Sequence, residues 1–376
     1  MAVIVKPSEA PRDGNHISFE NSIDGRLRVL YIGPDSGTCR ARYLALQRLG
    51  YDVLQIDPFA ALPQIKWARS WSFQSGGLGL TDLVRRHIAS KIQHQSFNLA
   101  YVDSGELIGP SAVRMLRKHA AVVVNYNPDN PYSARDGWRW RAFKAAIPYY
   151  DQLFVPRLSN VAEALAAGAR SVERVWFAAD DALKQVDGLP QESAKKPFRS
   201  AVSFVGTWMP ERGPIMAYLL EKGLPARIFG PRWNRAPEFP RLAPFTTVGE
   251  LDGSAYDAAV AAADISIALL SKGNRDLHTT RSMEIPSLGS LLCGERTDEH
   301  LALYEDGTEA IFWSDPDECV LHCRQLLDNP GLRLTIAAAG HRRALANNHF
   351  NEPLMQRMIF AALGLGDRSI QGIGMS

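Results

Sequence analysis

The chain has 376 residues, 46% of them hydrophobic and 22% charged, with a formal charge of +2 at neutral pH. That length calls for two domains rather than one core. So small a net charge excludes a surface built as a whole for nucleic acid. The four cysteines, Cys39, Cys293, Cys319 and Cys323, have no second pair at zinc-ligand spacing. They read as small hydrophobes, Cys319 and Cys323 on one helix face, and no metal site is expected.

Residues 1–25 are polar, lack the apolar run of a secretory signal and read as a loose tail. From Leu27, "LRVLYIGP" is a buried strand ending in a turn, followed by a helix through Tyr43, Leu46 and Leu49 and a second strand, "YDVLQID". The alternation continues with a helix from Thr81 to about His94, the strand "NLAYVDS", a helix near Ser111 to His119 and the strand "AVVVNYN". The strand "DQLFVP" and the helix "NVAEALAAGA" close this half. The polar stretch Gly188 to Pro197 reads as a linker. Beyond it "SAVSFVGTW", "ARIFGP", "DISIALL" and "SLLCGE" are strands, with helices at Ile215 to Lys222, Ser254 to Ala263, Pro330 to Ala346 and Leu354 to Leu363. The longest apolar run, Ala258 to Leu270, is short and carries Asp264, so no membrane span is expected and the chain reads as cytoplasmic. The expected division is a Rossmann-like domain over 26–187, a linker over 188–198, a second such domain over 199–346, and a closing helix and tail over 347–376.

Two α/β domains of this kind place the loops after their strands on either side of a cleft, where sites belong. "YIGPDSGTCRARY" invites a dinucleotide reading with Asp57 as the ribose acid, but Gly33 and Gly37 miss the G-x-G-x-x-G spacing. A tight strand-to-helix turn is the simpler reading, and Gly33 remains a candidate on the substrate side. In "FVGTWMPERGP", Gly206 and Thr207 end a strand and Arg212 precedes a helix; Arg212 is either an anion ligand at a helix N-terminus or a solvated loop residue. "NRDLHTTRSMEIPSLGSLLCGER" combines the same devices more densely. A helix starting near Thr279 or Thr280 would offer free N–H groups, hydroxyls and Arg281 or Arg275 to phosphate oxygens. Carboxylates there would repel phosphate, so Asp276 and Glu284 must face hydroxyl groups. A diphosphate flanked by polyhydroxylated rings, a nucleotide sugar, satisfies both needs. The plainer alternative makes Glu284 a helix-bridging residue and Asp276 a loop acid.

The order of these features resembles the GT-B glycosyltransferases, especially the CgeB-like, spore-maturation group. The likeness rests on "RSMEIPSLGSLLCGERTDEHLALYEDGTEAIFW", "LRLTIAAAGHRRALANNHF", "SFVGTWMPERGP" and "RIFGPRW". It implies two Rossmann-like domains facing across a cleft, with C-terminal helices packing back toward the N-terminal domain. It implies that Glu284 is the second acid of an E-x7-E-like motif and holds the ribose. Asp276 takes the first position, beside the transferred sugar, where Glu is the commoner residue. Arg212 would bind the diphosphate, with His278, Thr279 and Thr280 as the phosphate turn and Gly206, Thr207 and Gly230 in the strand-end loops.

The expected reaction moves a sugar from a nucleoside-diphosphate sugar, UDP before GDP, to a glycan, lipid-linked or protein acceptor. No cofactor is expected, and the relevant loops contain no D-x-D, in keeping with metal independence. Retention is implied by the motif likeness alone, and inversion with Asp129 as base stays open. "NYNPDNPY" puts Asn127 and Asp129 after a strand, where Asp129 is a candidate base or simply the acid of an Asx turn. "RDGWRWRAFK" and "IKWARSWSF" interleave Trp138, Trp140, Trp67 and Trp71 with cations, a pattern suited to sugars, anionic polymers or lipid head groups, although core packing claims at least half of these tryptophans. A nucleotide-binding protein without turnover and a nucleotide-sugar epimerase are the competing readings.

Overall fold

The apolar runs become parallel strands because a strand covered by helices on both faces must be apolar on both. In the computed structural model, which describes residues 4–5, 26–63, 66–185, 189–251 and 253–365, every residue of the strand Phe97–Asp103 is buried. The tail expected over 1–25 falls outside the described residues except at 4–5, as do Gly188, the side chain of Trp67 and everything after 365.

The chain forms two units, Met1–Trp176 with Asn351–Ser376, and Phe177–Phe350. In the first, β1 (Ile4–Val5), β2 (Arg28–Ile32), β3 (Asp52–Ile56), β4 (Phe97–Asp103), β5 (Ala120–Tyr126), β6 (Gln152–Val155) and β7 (Val172–Arg174) form one sheet in the order β1-β7-β6-β5-β4-β2-β3. Only the short β1 runs antiparallel, pairing with β7. The strand order reverses around β2, which lies between β3 and β4. Gly33 closes that strand so tightly that a Cβ there would lie 3.0 Å from Asp103 Cβ and from the Tyr31 ring. Behind this turn the buried Asp103 carboxylate takes Arg42 Nε at 2.6 Å and the Tyr31 hydroxyl, tying the helix Gly37–Arg48 to the ends of β2 and β4. Against the same helix packs the closing helix Asn351–Leu363, with Met355 and Met358 buried. Arg48 Nε meets Glu352 at 2.5 Å and Arg357 meets Glu173 at 2.8 Å. The C-terminal helix therefore returns to the N-terminal unit, as expected.

The second unit is a parallel sheet of β8 (Ser200–Val205), β9 (Ala226–Gly230), β10 (Thr246–Val248), β11 (Ala263–Ala268), β12 (Leu291–Glu295) and β13 (Ile311–Trp313), in the order β10-β9-β8-β11-β12-β13. Here the order reverses at β8, between β9 and β11. Cys293 on β12 and Cys319 and Cys323 on the helix Pro316–Asp328 are buried in this unit's core, with Cys293 and Cys323 sulfurs 3.9 Å apart. The three sulfurs lie within 4.8 Å of one another, a meeting that the spacing of Cys319 and Cys323 in the sequence did not show. The stretch read as a linker belongs to this second unit, where Glu192–Lys195 forms a helical turn against the helix Gly253–Ala261. Among the described residues no helix is long and apolar enough to cross a membrane.

Candidate functional site

Ligands of open α/β sheets sit beyond the carboxyl ends of the strands where the order reverses. In the second unit those ends are Val205–Thr207 after β8 and Leu269–Ser271 after β11. Arg212, the first residue of the helix Arg212–Glu221, is buried and bridges them: Nη1 donates to Thr207 O at 2.9 Å and Nη2 to Leu269 O at 3.0 Å. Arg281 reaches the same place from the helix Thr280–Ser287, donating from Nε to Val205 O at 2.6 Å. The backbone below it is closely packed, and at Gly230 glycine is required. A Cβ at Gly206 would lie 2.8 Å from Arg281 Nη2, and a Cβ at Gly230 (φ +146°) only 2.1 Å from Gly206 O. Trp233 Nε1 holds that carbonyl from the side at 2.8 Å. Gly206, Thr207, Arg212, Gly230 and Arg281, separated in sequence, thus form one assembly.

The turn after β11 is fixed from several directions. Arg275 adopts a left-handed conformation (φ +57°), and the buried Asp276 donates its N–H to Ser271 O at 3.1 Å. His278 accepts the Phe177 N–H at Nε2 (3.2 Å), which leaves its proton on Nδ1 for Glu299 Oε2 at 2.5 Å. Thr279 is the N-cap: its hydroxyl accepts Arg281 N–H at 3.0 Å, while its own N–H goes to Ser282 Oγ at 3.0 Å, a capping box. Both His278 nitrogens and the Thr279 hydroxyl therefore serve the turn itself. Thr280 is half-buried, and Arg281 heads toward β8. Sequence reading missed the supports underneath. Ser282 Oγ lies 2.8 Å from His300 Nε2, whose Nδ1 donates to Glu295 O at 2.6 Å, and Glu295 Oε1 accepts Leu270 N–H at 2.8 Å. Burial holds the His300 imidazolium down to a pKa of about 4, so the ring is neutral in this network. The "ERTDEH" segment carried these residues, but no spacing rule tied them to Ser282.

Glu284 stands one helical turn beyond Arg281, partly buried, with Tyr256 Oη donating to its Oε2 at 2.5 Å. Burial raises its pKa, opposed by the Tyr256 hydrogen bond and the Arg281 charge. Tyr256 lies on the helix Gly253–Ala261 beside Asp257, whose pKa burial, then Glu284, then Asp180 push up from 3.8 to about 7. A carboxyl with a raised folded-state pKa contributes stability fully below its ordinary value and loses it as pH rises through the folded value. Stability of the second unit should therefore fall from about pH 4 to about pH 7 by roughly 2 kcal/mol on account of Asp257, a figure reduced for its partial exposure. Asp257→Asn is expected to remove that slope, matching wild type near pH 4 and exceeding it near pH 8, as read from urea midpoints across pH.

In the first unit, Asn127 Oδ1 accepts the Asp129 N–H at 3.0 Å, an Asx turn, and the Asp129 carboxylate pairs with Arg139 Nη1 at 3.3 Å. Arg139 also takes Glu106 at 2.9 Å and Asp136 at 3.2 Å. Glu106, at the end of the β4 turn, is the buried acid of this group, and burial raises its pKa. It joins Asp129 as a candidate base that sequence reading did not single out. The Ser104-Gly105 pair directly after the strand, where the structure has both residues at positive φ, was the available signal. Trp138 is exposed while Trp140 is fully buried.

A family model described as glycosyl transferase-like matches residues 214–359. No curated protein matches the sequence. Among solved structures, HepE of Anabaena in complex with UDP-glucose is similar over 89% of this chain and 100% of its own, at 12% identity and a TM-score of 0.64. Sucrose-phosphate synthase of Thermosynechococcus elongatus covers 90% and 99% at 12% identity and a TM-score of 0.68. A putative UDP-N-acetylglucosamine 2-epimerase of Listeria monocytogenes covers 91% and 98% at 13% identity and a TM-score of 0.56. With both sheets matched at nearly full length, the chain has the α/β fold of GT-B glycosyltransferases, and residues 214–359 carry the likeness to the glycosyl transferase-like family.

Proposed function

We propose that the protein is a glycosyltransferase that moves a sugar from a nucleoside-diphosphate sugar to a glycan, lipid-linked or protein acceptor. The observation that carries this reading is the assembly at the carboxyl ends of β8 and β11, where two arginines, two close-packed glycines and a capped helix N-terminus meet below Glu284. The glycosyl transferase-like match and the complex of HepE with UDP-glucose support the same class, and UDP is favoured over GDP. The CgeB-like group is the subgroup proposed.

In the reaction the bond from the anomeric carbon to the diphosphate oxygen breaks, its electrons leaving on the diphosphate, while the acceptor oxygen bonds to that carbon and gives up its proton, to the departing diphosphate oxygen under retention or to a carboxylate base under inversion. Arg281, the N–H group of Thr280 and the charge of Arg212 stabilise the departing diphosphate. Glu284 accepts the ribose hydroxyls, and Asp276 stabilises the sugar as positive charge grows on it. Gly33, Asn127 and Trp138 are proposed for the acceptor, with Asp129 or Glu106 as base if the outcome is inversion; retention follows the motif likeness. These groups supply the charge stabilisation without a metal ion.

The test is calorimetric titration with UDP and GDP, followed by incubation with a panel of their sugars. UDP should bind, and Glu284→Ala should weaken it about 10-fold or more, the value of a hydrogen bond to a charged group. Unchanged affinity would remove Glu284 from the site. The epimerase neighbour keeps one second reading in view. An altered sugar still joined to its nucleotide would establish it, and tight binding without turnover would make the protein a nucleotide-binding module.

A further inference from the structure

Three of the chain's four cysteines meet in the core of the second unit. Cys293 lies on β12, between β11 and β13. Cys319 and Cys323 stand one turn apart on the helix Pro316–Asp328, which packs against β13. All three side chains are fully buried, with the Cys293 and Cys323 sulfurs 3.9 Å apart and every pair within 4.8 Å. Among the described residues this is the one group of three or more side chains able to share a metal ion, and no histidine or carboxylate joins it. Sequence spacing gave no sign of such a ligand set, because the third sulfur comes from another element.

The distances distinguish what the triad can hold. A disulfide needs its sulfurs about 2.0 Å apart, so Cys293 and Cys323 would have to close about half of their 3.9 Å separation. A metal–sulfur bond of about 2.3 Å places the corners of a planar three-sulfur unit about 4.0 Å apart. The Cys293–Cys323 pair already meets that spacing, and the other pairs, within 4.8 Å, need only a small adjustment of the side chains. Structural zinc takes four ligands in a tetrahedron, and here three are at hand. The apolar core around them excludes the water that would complete a harder ion's shell. Soft sulfur ligands without oxygen or nitrogen suit monovalent copper.

We propose that Cys293, Cys319 and Cys323 form a trigonal site for a soft, thiophilic cation of the copper(I) class. The ion ties β12 to the helix Pro316–Asp328 and so stabilises the second unit. Thiol protons pass to the solvent as the sulfurs coordinate, and no oxidation state changes. Because the sulfurs are buried, the ion enters when the helix opens locally, which makes loading slow and retention strong. The inference goes beyond the glycosyl-transfer reading and does not depend on it.

The experiment is incubation of the full chain with copper(I), supplied without oxygen as its acetonitrile complex, followed by competition with the chelator bicinchoninate. Wild type should retain one copper per chain, show an ultraviolet thiolate-to-metal band, and unfold about 5 °C or more higher than the metal-free protein. Zinc at equal concentration should not displace the copper. Cys39→Ser removes the one cysteine outside the triad and should bind as wild type does. Cys293→Ala, Cys319→Ala and Cys323→Ala should each weaken retention at least about 10-fold, the cost of losing even an outer partner of a metal site. Should the alanine variants not fold, copper X-ray absorption of loaded Cys39→Ser should still count three sulfur neighbours at about 2.3 Å. Loss of copper from wild type to bicinchoninate, wild-type retention by a folded triad variant, or a spectrum with only two sulfur neighbours would each overturn the proposal.

Discussion

Replacing Arg212 with alanine is expected to destabilise the second unit by about 3–5 kcal/mol, because two charge-assisted hydrogen bonds are lost and two strand-end carbonyls stay buried. Thr207 O and Leu269 O lie at the ends of β8 and β11, and the guanidinium fork is what joins them. The loss should appear as a lower urea midpoint together with UDP affinity reduced at least about 10-fold in the protein that remains folded. Arg212→Lys separates the two contributions. It keeps the positive charge near the proposed diphosphate but cannot span both carbonyls. It should therefore recover more affinity than stability. Arg212→Ala with a midpoint within about 1 kcal/mol of wild type would contradict the bridging role.

Asp276→Asn is expected to lower kcat about 100-fold or more while leaving UDP affinity within about 3-fold, the pattern of a group that acts chiefly on charge developing in the transition state. Asp276 is buried in the turn whose backbone is set by Ser271 and by the left-handed Arg275, so asparagine can keep the shape and lose the charge. Glu284→Ala should show the opposite pattern, with UDP weakened. Similar losses of binding in both variants would mean that Asp276 holds the nucleotide, and an unchanged kcat would remove it from the reaction. Steady-state kinetics of the transferase reaction, beside calorimetry with UDP, distinguish these outcomes.

The long apolar strands were readable because a strand covered on both sides must be apolar throughout. β2, β4, β5, β8, β11 and β12 all answer to that rule. The short strands β7, β10 and β13 have three residues each, too few for a periodic signal. The helix Lys66–Ser75 escaped because Trp71 and Phe73 on it are partly exposed and give no single buried stripe. Thr279 was readable as a cap because N-capping is local. That its hydroxyl is thereby occupied was visible only once the helix start was fixed at Thr280.

Composition and local pattern therefore determined two α/β halves, the strand ends where a ligand belongs, and the residue types able to meet a diphosphate and sugar hydroxyls. Tertiary structure decided which groups meet: Arg212 between Thr207 and Leu269, Tyr256 on Glu284, His300 beneath Ser282, and Glu106 beside Asp129 around Arg139. The physical reason is that strand and helix formation depend on neighbours a few residues away. A buried hydrogen bond or ion pair depends on which distant chain segment fills the adjoining space, and only packing settles that.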